Sequence, residues 1–394
     1  MRRPVGPPAG RPLWRPPPER SRPRPPLLQR VSKLSRDARH PAGVRGPLGG
    51  DGVTTTDSVA RTDVNPGPLI KLAIADCAAK VLHSAVRLDV FTALAQQPAT
   101  GPALARRIAL HPRLAADFLD ALVGLGLLER HGDHYRNAPL ADAYLVRDTD
   151  GYLGGFLDLT NETLYGTWNR LTEALRTGEA QHLDPDKGGF VGDKHRDPAK
   201  MKRFLSGLDA FSNRMGAELA NTVDWTRYRS FVDLGGARGN LAAVLATTHP
   251  HLDAVCFDLP RTRPLFDEHV ARLGLGDHIR FVGGDFFADP IPPADVVVLG
   301  HILHGFDAER SQELVRRVHQ AVRPGGAVLV YDRMIDDDRR DPDRLLGSLH
   351  MRLVSPTGGE YRVADCRDWL RAAGFTDLTD QPLLTTHTLV VGRR

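Results

Sequence analysis

Apolar runs and helical segments alternate over residues 229–394, and this alternation is the feature that most constrains the fold. Strands are predicted at 231–234, 254–258, 279–283, 295–300, 327–332, 375–380 and 386–391. Helices are predicted between them, for example over 308–322. Alternation of this kind predicts an α/β fold, in which a parallel sheet is covered by helices on both faces. Ligands of such sheets bind at the carboxyl ends of the strands.

The first predicted strand ends in an acid and enters a glycine turn, FVDLGGARGN at residues 231–240. Glycine lets the backbone approach a ligand closely, and the N-terminus of the following helix offers free N–H groups. A P-loop is excluded because no Lys follows the turn. Gly235, Gly236 and Gly239 do not have the G-x-G-x-x-G spacing of a dinucleotide fingerprint. The turn therefore favours another cofactor, with a nicotinamide dinucleotide as the main alternative.

Polar or aromatic residues follow the next three strands. Asp258 closes the second strand, where an acid can accept hydrogen bonds from both ribose hydroxyls of an adenosine. Asp285 and Phe286 follow the third strand, and His301 and His304 follow the fourth. These residues are therefore expected to lie together at the carboxyl edge of the sheet.

This series resembles the cofactor site of S-adenosylmethionine-dependent methyltransferases, and the segment His301-Ile302-Leu303-His304 is similar to the catalytic segment of the small-molecule O-methyltransferases. The resemblance covers residues 66–394. It implies a Rossmann-like class I methyltransferase sheet with S-adenosylmethionine as cofactor. The residues implied to bind this cofactor are Asp233, Gly235, Gly236, Asp258, Asp285 and Phe286. Family members often have a third glycine where this chain has Ala237, and a positive φ would strain an alanine there.

Methyl transfer from a sulfonium is an in-line displacement, so the enzyme must position the acceptor and remove its proton. A phenol has a pKa of about 10 and a histidine one of about 6.5, which makes a neutral imidazole a suitable base. By resemblance the base is His304, and the acids that orient it are Asp332, where the family usually has Glu, and Glu360. The usual Asp-Trp after the base is Gly305-Phe306 here, which removes a carboxylate and keeps an aromatic ring.

Two other interpretations of this segment stay open. Both histidines could be helix-cap or packing residues, and we expect that role for His301 but not for His304. The i, i+3 spacing of the histidines, followed by Asp307, also permits a metal site. The O-methyltransferase branch that the segment resembles uses no metal, and no metal is predicted.

Residues 66–150 are predicted to be helical with one small hairpin. Helices are predicted over 69–91, 101–109 and 112–128, from the spacing of their apolar residues. A Gly132-Asp133 turn between two short strands predicts a wing. Together these elements predict a winged helix.

Winged helices often bind DNA. The candidate recognition helix, however, carries Asp117 and Asp120, and Arg113 is its only basic residue. It lacks the positive face that phosphate contacts require, so no nucleic-acid partner is predicted. The O-methyltransferases place such a module at the N-terminus for dimerisation, and the resemblance implies a homodimer.

Charge is distributed unevenly along the 394 residues. Residues 1–52 hold 12 of the 52 Lys and Arg residues and 3 of the 48 Asp and Glu residues, which leaves 40 basic and 45 acidic side chains in the body. The tail is rich in Pro and Arg and cannot build a core. It is interpreted as a solvated tail or as a segment upstream of a true start at Val53. A basic arm for nucleic acid or an acidic membrane is the third interpretation.

No apolar run approaches the roughly 20 residues of a membrane span, and no secretory signal is present. The three cysteines, Cys77, Cys256 and Cys366, form no metal or redox spacing. No membrane partner is therefore predicted, and the expected location is the cytoplasm.

Three regions are predicted: a winged-helix dimerisation domain at 66–150, an aromatic-rich helical linker or substrate lid at 151–225, and an S-adenosylmethionine-binding catalytic domain at 226–394. Within this family, the run at 345–351 makes the chain most similar to bacterial enzymes that methylate polyketide-type aromatic acids and polycycles. The predicted reaction is methyl transfer to a phenolic hydroxyl of such an acceptor, whose carboxylate could meet Arg352. The alternatives are a relative with other chemistry, such as hydroxylation or decarboxylation, and a DNA-binding regulator.

Overall fold

A computed structural model of the protein describes residues 65–149, 151–181 and 198–394. The chain divides into two units, Met1–Ile74 and Ala75–Arg394. The described residues of the first unit form one helix, α1 (Gly67–Ala73). The tail predicted at 1–52 lies outside the described residues, as does part of the predicted lid.

The second unit begins with a winged helix. Its elements are α2 (Ala75–Arg87), α3 (Val90–Gln96), β1 (Ala99–Thr100), α4 (Gly101–Arg107), α5 (Pro112–Gly124), β2 (Leu128–His131), β3 (His134–Asn137) and α6 (Pro139–Tyr144). The strands pair in the order β1-β3-β2, and Gly132, with a φ of 62°, turns the chain in the wing. Phe91, Leu104 and Leu119 pack in a core between the helices and this sheet. The predicted winged helix is present.

The prediction of one continuous helix over 69–91 is wrong. The helix is interrupted at Ile74 and again at Asp89, whose φ is 59°. Apolar periodicity runs through both interruptions and cannot detect a residue in the left-handed region, which Asp tolerates better than most side chains. The helix predicted over 112–128 also ends early, because Gly126 turns the chain with a φ of 71° before β2 begins.

The candidate recognition helix α5 is tied to the wing by Asp120. Its carboxylate accepts hydrogen bonds from Arg130 and from the hydroxyl of Tyr135, both at 2.7 Å. This acid therefore serves a contact within the winged helix.

Among the described residues, three helices follow: α7 (Gly154–Trp168), α8 (Leu171–Thr177) and α9 (Pro198–Thr222). Helices α7 and α9 cross closely, since a Cβ on Gly207 would lie 2.8 Å from the carbonyl oxygen of Gly155. The helical character predicted for 151–225 is present in the described residues. Its role as a lid, and the domain boundaries, stay predictions.

A seven-stranded sheet with helices on both faces completes the unit. Its strands are β4 (Ser230–Leu234), β5 (Asp253–Asp258), β6 (Ile279–Gly283), β7 (Ala294–Gly300), β8 (Val322–Asp332), β9 (Thr376–Leu383) and β10 (His387–Arg393). The helices are α10 (Asn240–Thr248), α11 (Arg263–Arg272), α12 (Ala308–Ala321), α13 (Pro342–Val354) and α14 (Val363–Ala373). The strand order is β6-β5-β4-β7-β8-β10-β9.

The prediction of a wholly parallel sheet is wrong for its last strands. Strands β4 to β8 pair in parallel, but β10 runs antiparallel to both β8 and β9. Only three residues separate β9 from β10, which is enough for a hairpin and too few for a crossover helix. The sheet is therefore mixed, with one antiparallel strand inserted between β8 and β9.

The core lies on both faces of this sheet. Along β7, Val296 and Val298 face the side covered by α9 and α10, whereas Val297 and Leu299 face the side covered by α12 and α14. Strands buried on both faces have continuous apolar sequences, which is why these runs were predictable. The packing fixes the carboxyl ends of β4, β5, β7 and β8 along one edge. Within the described ranges, no helix has the length and apolar character needed to cross a membrane.

Candidate active site

The glycine turn after β4 is built around Asp233, which is 4% exposed. Gly235 has a φ of 75°, in the left-handed region that favours glycine. A Cβ on Gly236 would lie 2.6 Å from Oδ2 of Asp233 and 2.7 Å from Sγ of Cys256. Neither glycine can be replaced without moving a neighbour, so the turn presents bare backbone at the edge of the sheet.

Ala237 adopts a φ of 49°, the strained conformation expected where the family often has glycine. Its N–H donates to Oδ2 of Asp258 at 2.8 Å, and the N–H of Leu259 donates to Oδ1 at 2.6 Å. The acid at the end of β5 thus holds the turn at the end of β4. This contact offsets a left-handed penalty of about 1–2 kcal/mol.

Two acids, Asp233 and Asp258, lie beside this turn. Burial, with a further contribution from the charge of Asp258, raises the pKa of Asp233 to about 7. Oδ2 of Asp233 is buried and has no hydrogen-bond partner among the described residues. A buried acceptor without a donor needs an explanation, and a ligand with cationic or N–H groups would supply one. S-adenosylmethionine has a sulfonium and an ammonium, so these residues fit it.

Asp285 and Phe286 follow β6. Asp285 is exposed and accepts a hydrogen bond from the N–H of Phe287 at 2.9 Å. Phe286 is half-buried and packs edge-on against Phe287 and Phe306, with ring centroids 5.0 and 5.9 Å away. Phe306 therefore provides the aromatic packing predicted for it, and it joins the turn after β6 to the histidine segment.

His304 lies in a short turn of 3₁₀ helix after β7. Its Nδ1 is 2.9 Å from Oε1 of Glu360 and 3.4 Å from Oδ1 of Asp332. Both acids are almost completely buried, at 4% and 0% exposure. The structure thus brings together the three residues that the sequence singled out for catalysis, although they come from three separate segments.

Each acid is held by its own neighbours. The hydroxyl of Tyr361 donates to Oδ2 of Asp332 at 2.6 Å. The N–H of Glu360 donates to the hydroxyl of Ser348 on α13 at 3.2 Å, and the N–H of Gly359 donates to the carbonyl of His304 at 2.8 Å. The loop before Glu360 is therefore anchored to the backbone of the histidine that Glu360 contacts.

The two acids control the protonation of the histidine. Burial alone would lower the pKa of His304, but the charge of Asp332 and the hydrogen bond and charge of Glu360 raise it to about 9. Burial also raises the pKa of Asp332, an effect that the charge of His304 only partly offsets. The imidazole of His304 is thus unusually basic and lies beside two buried carboxyl groups.

His301 also reaches Asp332, with Nδ1 3.6 Å from the same Oδ1. Asp307, by contrast, is the N-cap of α12 and accepts from the N–H of Arg310 at 2.9 Å. The alternative metal site that included Asp307 is therefore not formed in the described part of the chain. The nitrogens of His301 and His304 and an oxygen of Asp332 do lie within 4.8 Å of one another, close enough to share a cation.

Sequence reasoning missed two side chains at this site. His387, at the start of β10, lies with its ring centroid 4.9 Å from that of His301. Phe211 of α9 belongs to the aromatic-rich segment predicted at 151–225, where nothing distinguished it from the other aromatic residues, yet its ring lies 5.4 Å from that of His301. Neither residue has a local sequence signal, because the folded sheet and α9 bring them to the site.

Comparison with known proteins identifies the family. A family model for the O-methyltransferase domain matches residues 168–376, and one for the O-methyltransferase dimerisation domain matches residues 71–147. The chain is 53% identical over 331 residues to the tetracenomycin polyketide synthesis 8-O-methyl transferase TcmO of Streptomyces glaucescens, with 84% of this chain and 97% of the relative covered. It is 42% identical over 308 residues to the N,N-dimethyltransferase OxyT of Streptomyces rimosus, with 78% and 90% covered.

A solved structure agrees with these relatives. The crystal structure of human N-acetylserotonin methyltransferase in complex with SAM matches with a TM-score of 0.77 at 27% identity and covers 85% of this chain and 99% of that one. The mixed sheet, the glycine turn and the histidine site define a class I methyltransferase. The chain belongs to the O-methyltransferase family. The predicted fold class, enzyme class and cofactor, S-adenosylmethionine, are confirmed, and the chain has an amino-terminal dimerisation domain.

Proposed function

We propose that the protein transfers the methyl group of S-adenosylmethionine to a phenolic hydroxyl of an aromatic, polyketide-type acceptor. The observation that carries the proposal is the 2.9 Å contact between Nδ1 of His304 and Oε1 of Glu360, at the sheet edge that also bears the glycine turn. The acceptor class is supported by the relative TcmO, which is named for an 8-O-methyl transfer in polyketide synthesis.

His304 is the proposed general base. Glu360 accepts a hydrogen bond from Nδ1–H, which fixes the tautomer that carries its lone pair on Nε2. With a pKa of about 9 for His304 and about 10 for a phenol, proton transfer from the hydroxyl to Nε2 is nearly balanced in free energy. The imidazolium that forms lies beside the carboxylates of Asp332 and Glu360, which stabilise it.

The cofactor supplies a methyl group that its sulfonium has already activated. The glycine turn would hold this cofactor with its methyl group towards the acceptor, and His304 would take the proton that the acceptor oxygen loses. The protein's task is therefore to align the two substrates and to remove one proton. Neither task requires a metal ion.

Six residues are proposed to hold the cofactor: Asp233, Gly235, Gly236, Asp258, Asp285 and Phe286. The bare backbone of the turn and the unpartnered oxygen of Asp233 support a cationic ligand there. A carboxylate has about four acceptor positions, and Asp258 uses two of them for backbone N–H groups. The remainder can accept the ribose hydroxyls, while Phe286 offers a ring to the adenine.

A nitrogen acceptor is the second candidate, favoured by the relative OxyT, which is an N,N-dimethyltransferase. An amine attacks as the neutral base and loses its proton after the transfer, so the same histidine could serve both acceptors. The two proposals differ in the product and not in the site.

Mass spectrometry of reactions with hydroxynaphthoates, polycyclic phenols and their amino analogues tests the proposal. We expect one methyl group on a hydroxyl and one equivalent of S-adenosylhomocysteine. Methylation of the amino analogues alone would establish the nitrogen acceptor. Binding of the cofactor without methylation of any acceptor would favour a relative with other chemistry, such as hydroxylation or decarboxylation. Hydroxynaphthoates also test whether Arg352, whose guanidinium lies against Gly359, recognises a carboxylate.

We also propose that the protein is a homodimer joined through residues 66–150. Residues 151–225 are proposed to act as a lid, and residues 226–394 to form the catalytic domain. The matched dimerisation domain supports the first assignment. Sedimentation equilibrium of the full chain should give twice the chain mass of 43.2 kDa. A monomer at all concentrations would contradict it. The cytoplasmic location stays a prediction.

A further inference from the structure

Two histidines beside His304 take no part in the proposed proton transfer. His301 and His387 lie edge to face, with ring centroids 4.9 Å apart and an angle of 84° between the rings. Phe211 of α9 covers both, at 5.4 Å from His301 and 5.3 Å from His387. The ring of His304 lies 5.5 Å from that of His301. The pair therefore lies directly beside the proposed base.

The backbone of His301 is held in an unfavourable conformation. Its φ is 56°, in a region that costs a residue other than glycine of the order of 1–3 kcal/mol. Its N–H donates to the carbonyl of Tyr331 at 3.1 Å, and its Nδ1 lies 3.6 Å from Oδ1 of Asp332. Strain of this kind is found where the position of a side chain matters for function. Here it places the ring of His301 beside that of His304.

The Nε2 atoms of both His301 and His387 are buried and have no hydrogen-bond partner in the described part of the chain. Burial lowers the pKa of His301 well below its usual value, helped by the nearby positive charge of His304. Burial, with Arg333, lowers the pKa of His387 to about 3. Both rings are therefore neutral near pH 7, and each Nε2 is either one donor or one acceptor.

The neighbours of the two Nδ1 atoms decide whether each Nε2 is a donor or an acceptor. The carboxyl of Asp332 faces Nδ1 of His301 and favours N–H there, which leaves an acceptor at Nε2. The hydroxyl of Thr386 lies 2.7 Å from Nδ1 of His387, and when it donates to that nitrogen the ring carries N–H at Nε2. One acceptor and one donor, on rings 4.9 Å apart, match a single hydroxyl group, which both donates and accepts.

We propose that His301 and His387 form a polar recess that binds a second hydroxyl of the acceptor, next to the hydroxyl that His304 deprotonates. This inference rests on the proposed function and narrows the acceptor class to aromatic compounds with two neighbouring hydroxyls. An acceptor with only one hydroxyl leaves both Nε2 atoms without a partner, and buried polar groups left unpaired reduce affinity.

A pair of probes that differ by one oxygen tests the recess. 1,8-Dihydroxynaphthalene and 1-naphthol are compared by calorimetry with the full chain saturated with S-adenosylhomocysteine, and by steady-state kinetics with S-adenosylmethionine. The wild type should bind the dihydroxy probe about tenfold more tightly, as one well-placed hydrogen bond allows. In His301→Phe and in His387→Phe this ratio should fall towards one, because the Kd for the dihydroxy probe rises while the Kd for 1-naphthol does not.

Two further variants separate recognition from structure. His301→Gln keeps an acceptor near the position of Nε2 and should restore part of the preference. His319→Phe is the matched control: this histidine lies on α12 with its ring 4.8 Å from that of Phe375, away from the recess. It should keep the wild-type ratio.

Several outcomes would overturn the recess. Equal wild-type affinities for the two probes would do so even if no variant folded, and they would mean that the recess holds a water molecule. An equal loss of kcat with both probes in His301→Phe would assign His301 to the support of Asp332 and His304 instead. A tenfold preference in binding without methylation of either probe would support the recess while contradicting the proposed function. Binding of neither probe would contradict both.

Discussion

The glycine turn, which is proposed to bind the cofactor, and the histidine site lie at the same edge of one sheet but are built in opposite ways. The turn consists of consecutive residues, 233–240, and takes only Asp258 from the next strand. The histidine site collects side chains from five segments of the chain. Its members are Phe211, His301 and His304, Asp332, Glu360 and His387.

This difference determines how each region responds to change. In the turn, the backbone itself is the proposed cofactor-binding surface, and steric fit decides which residues are allowed. At the histidine site, charges and hydrogen bonds between distant side chains decide the chemistry. A substitution in the turn should therefore alter cofactor affinity, whereas one at the histidine site should alter turnover or its dependence on pH.

The largest effect is expected from His304→Ala. Loss of the base should reduce kcat by roughly 100-fold or more, because general base catalysis contributes about 10²–10⁴-fold. The Kd for S-adenosylmethionine should change by less than about twofold, since His304 follows β7 and not the turn. Calorimetry and steady-state kinetics with a weakly acidic phenol measure both quantities.

The control for this variant is His319→Ala, a half-buried histidine on α12 that is remote from the site. It should retain wild-type turnover. Near-wild-type kcat in His304→Ala, measured with an acceptor that is not already ionised, would mean that the enzyme works by alignment alone. The histidine site would then not be the region that determines the chemistry, and the contrast with the glycine turn would be wrong.

The counterpart in the turn is Gly236→Ala. Its Cβ would press on the carboxylate of Asp233 at 2.6 Å and on the sulfur of Cys256 at 2.7 Å. Strain of about 1–3 kcal/mol should weaken cofactor binding by roughly tenfold or more and leave kcat at saturating cofactor nearly unchanged. Gly276→Ala, where no atom lies within 4 Å of the added Cβ, is the control. An unaltered Kd in Gly236→Ala would show that the turn can relax.

The same contrast explains what the sequence could predict. The central strands, such as β4 and β7, were predictable because each is a run of apolar residues buried on both faces, and the turn was predictable because its residues are consecutive. The antiparallel β10 and the interruption at Asp89 were not, since neither changes the local apolar pattern. Asp332 and Glu360 were found only through a resemblance, because their contact with His304 depends on tertiary structure. His387 had no sequence signal, and Phe211 had only that of an aromatic-rich segment.

A smaller effect is expected from Glu360→Gln, which removes a charge from the histidine site and keeps its shape. The base acts in its neutral form, so with the pKa of His304 raised to about 9, kcat/KM of the wild type should rise with pH up to about pH 9. Without the negative charge the pKa of His304 falls. The inflection should then move to lower pH, and the plateau at high pH should drop by about 3- to 10-fold because the base is weaker.

The measurement is a pH series of kcat/KM from pH 6 to 10 for both proteins. Glu309→Gln, an exposed acid in the first turn of α12, is the control and should keep the wild-type profile. An inflection that stays at the wild-type pH in Glu360→Gln would mean that Glu360 does not set the basicity of His304. Asp332 would then be the dominant partner, and Asp332→Asn should move the inflection instead.

The smallest effect is expected from Gly305→Asp, which places an acid where related enzymes usually have one. No atom lies within 4 Å of a Cβ on Gly305, so the first carbon of a side chain has room there. His304 already has two acids, and the hydroxyl of Thr357 donates to the carbonyl of Gly305 at 3.2 Å. Stability should therefore change by less than about 0.5 kcal/mol, and kcat by less than about threefold.

The control is Gly305→Asn, which adds a side chain of the same size without its charge. A tenfold gain in kcat with Asp but not with Asn would show that the acceptor side lacks a carboxylate that it can use. A tenfold loss of kcat with Asp but not with Asn would show that the acceptor requires the absence of an acid at residue 305, because such an acid would repel the acceptor's own negative charge. Either result would make residue 305 a determinant of substrate choice, and the acceptor side would then be as sensitive to a single position as the cofactor turn is.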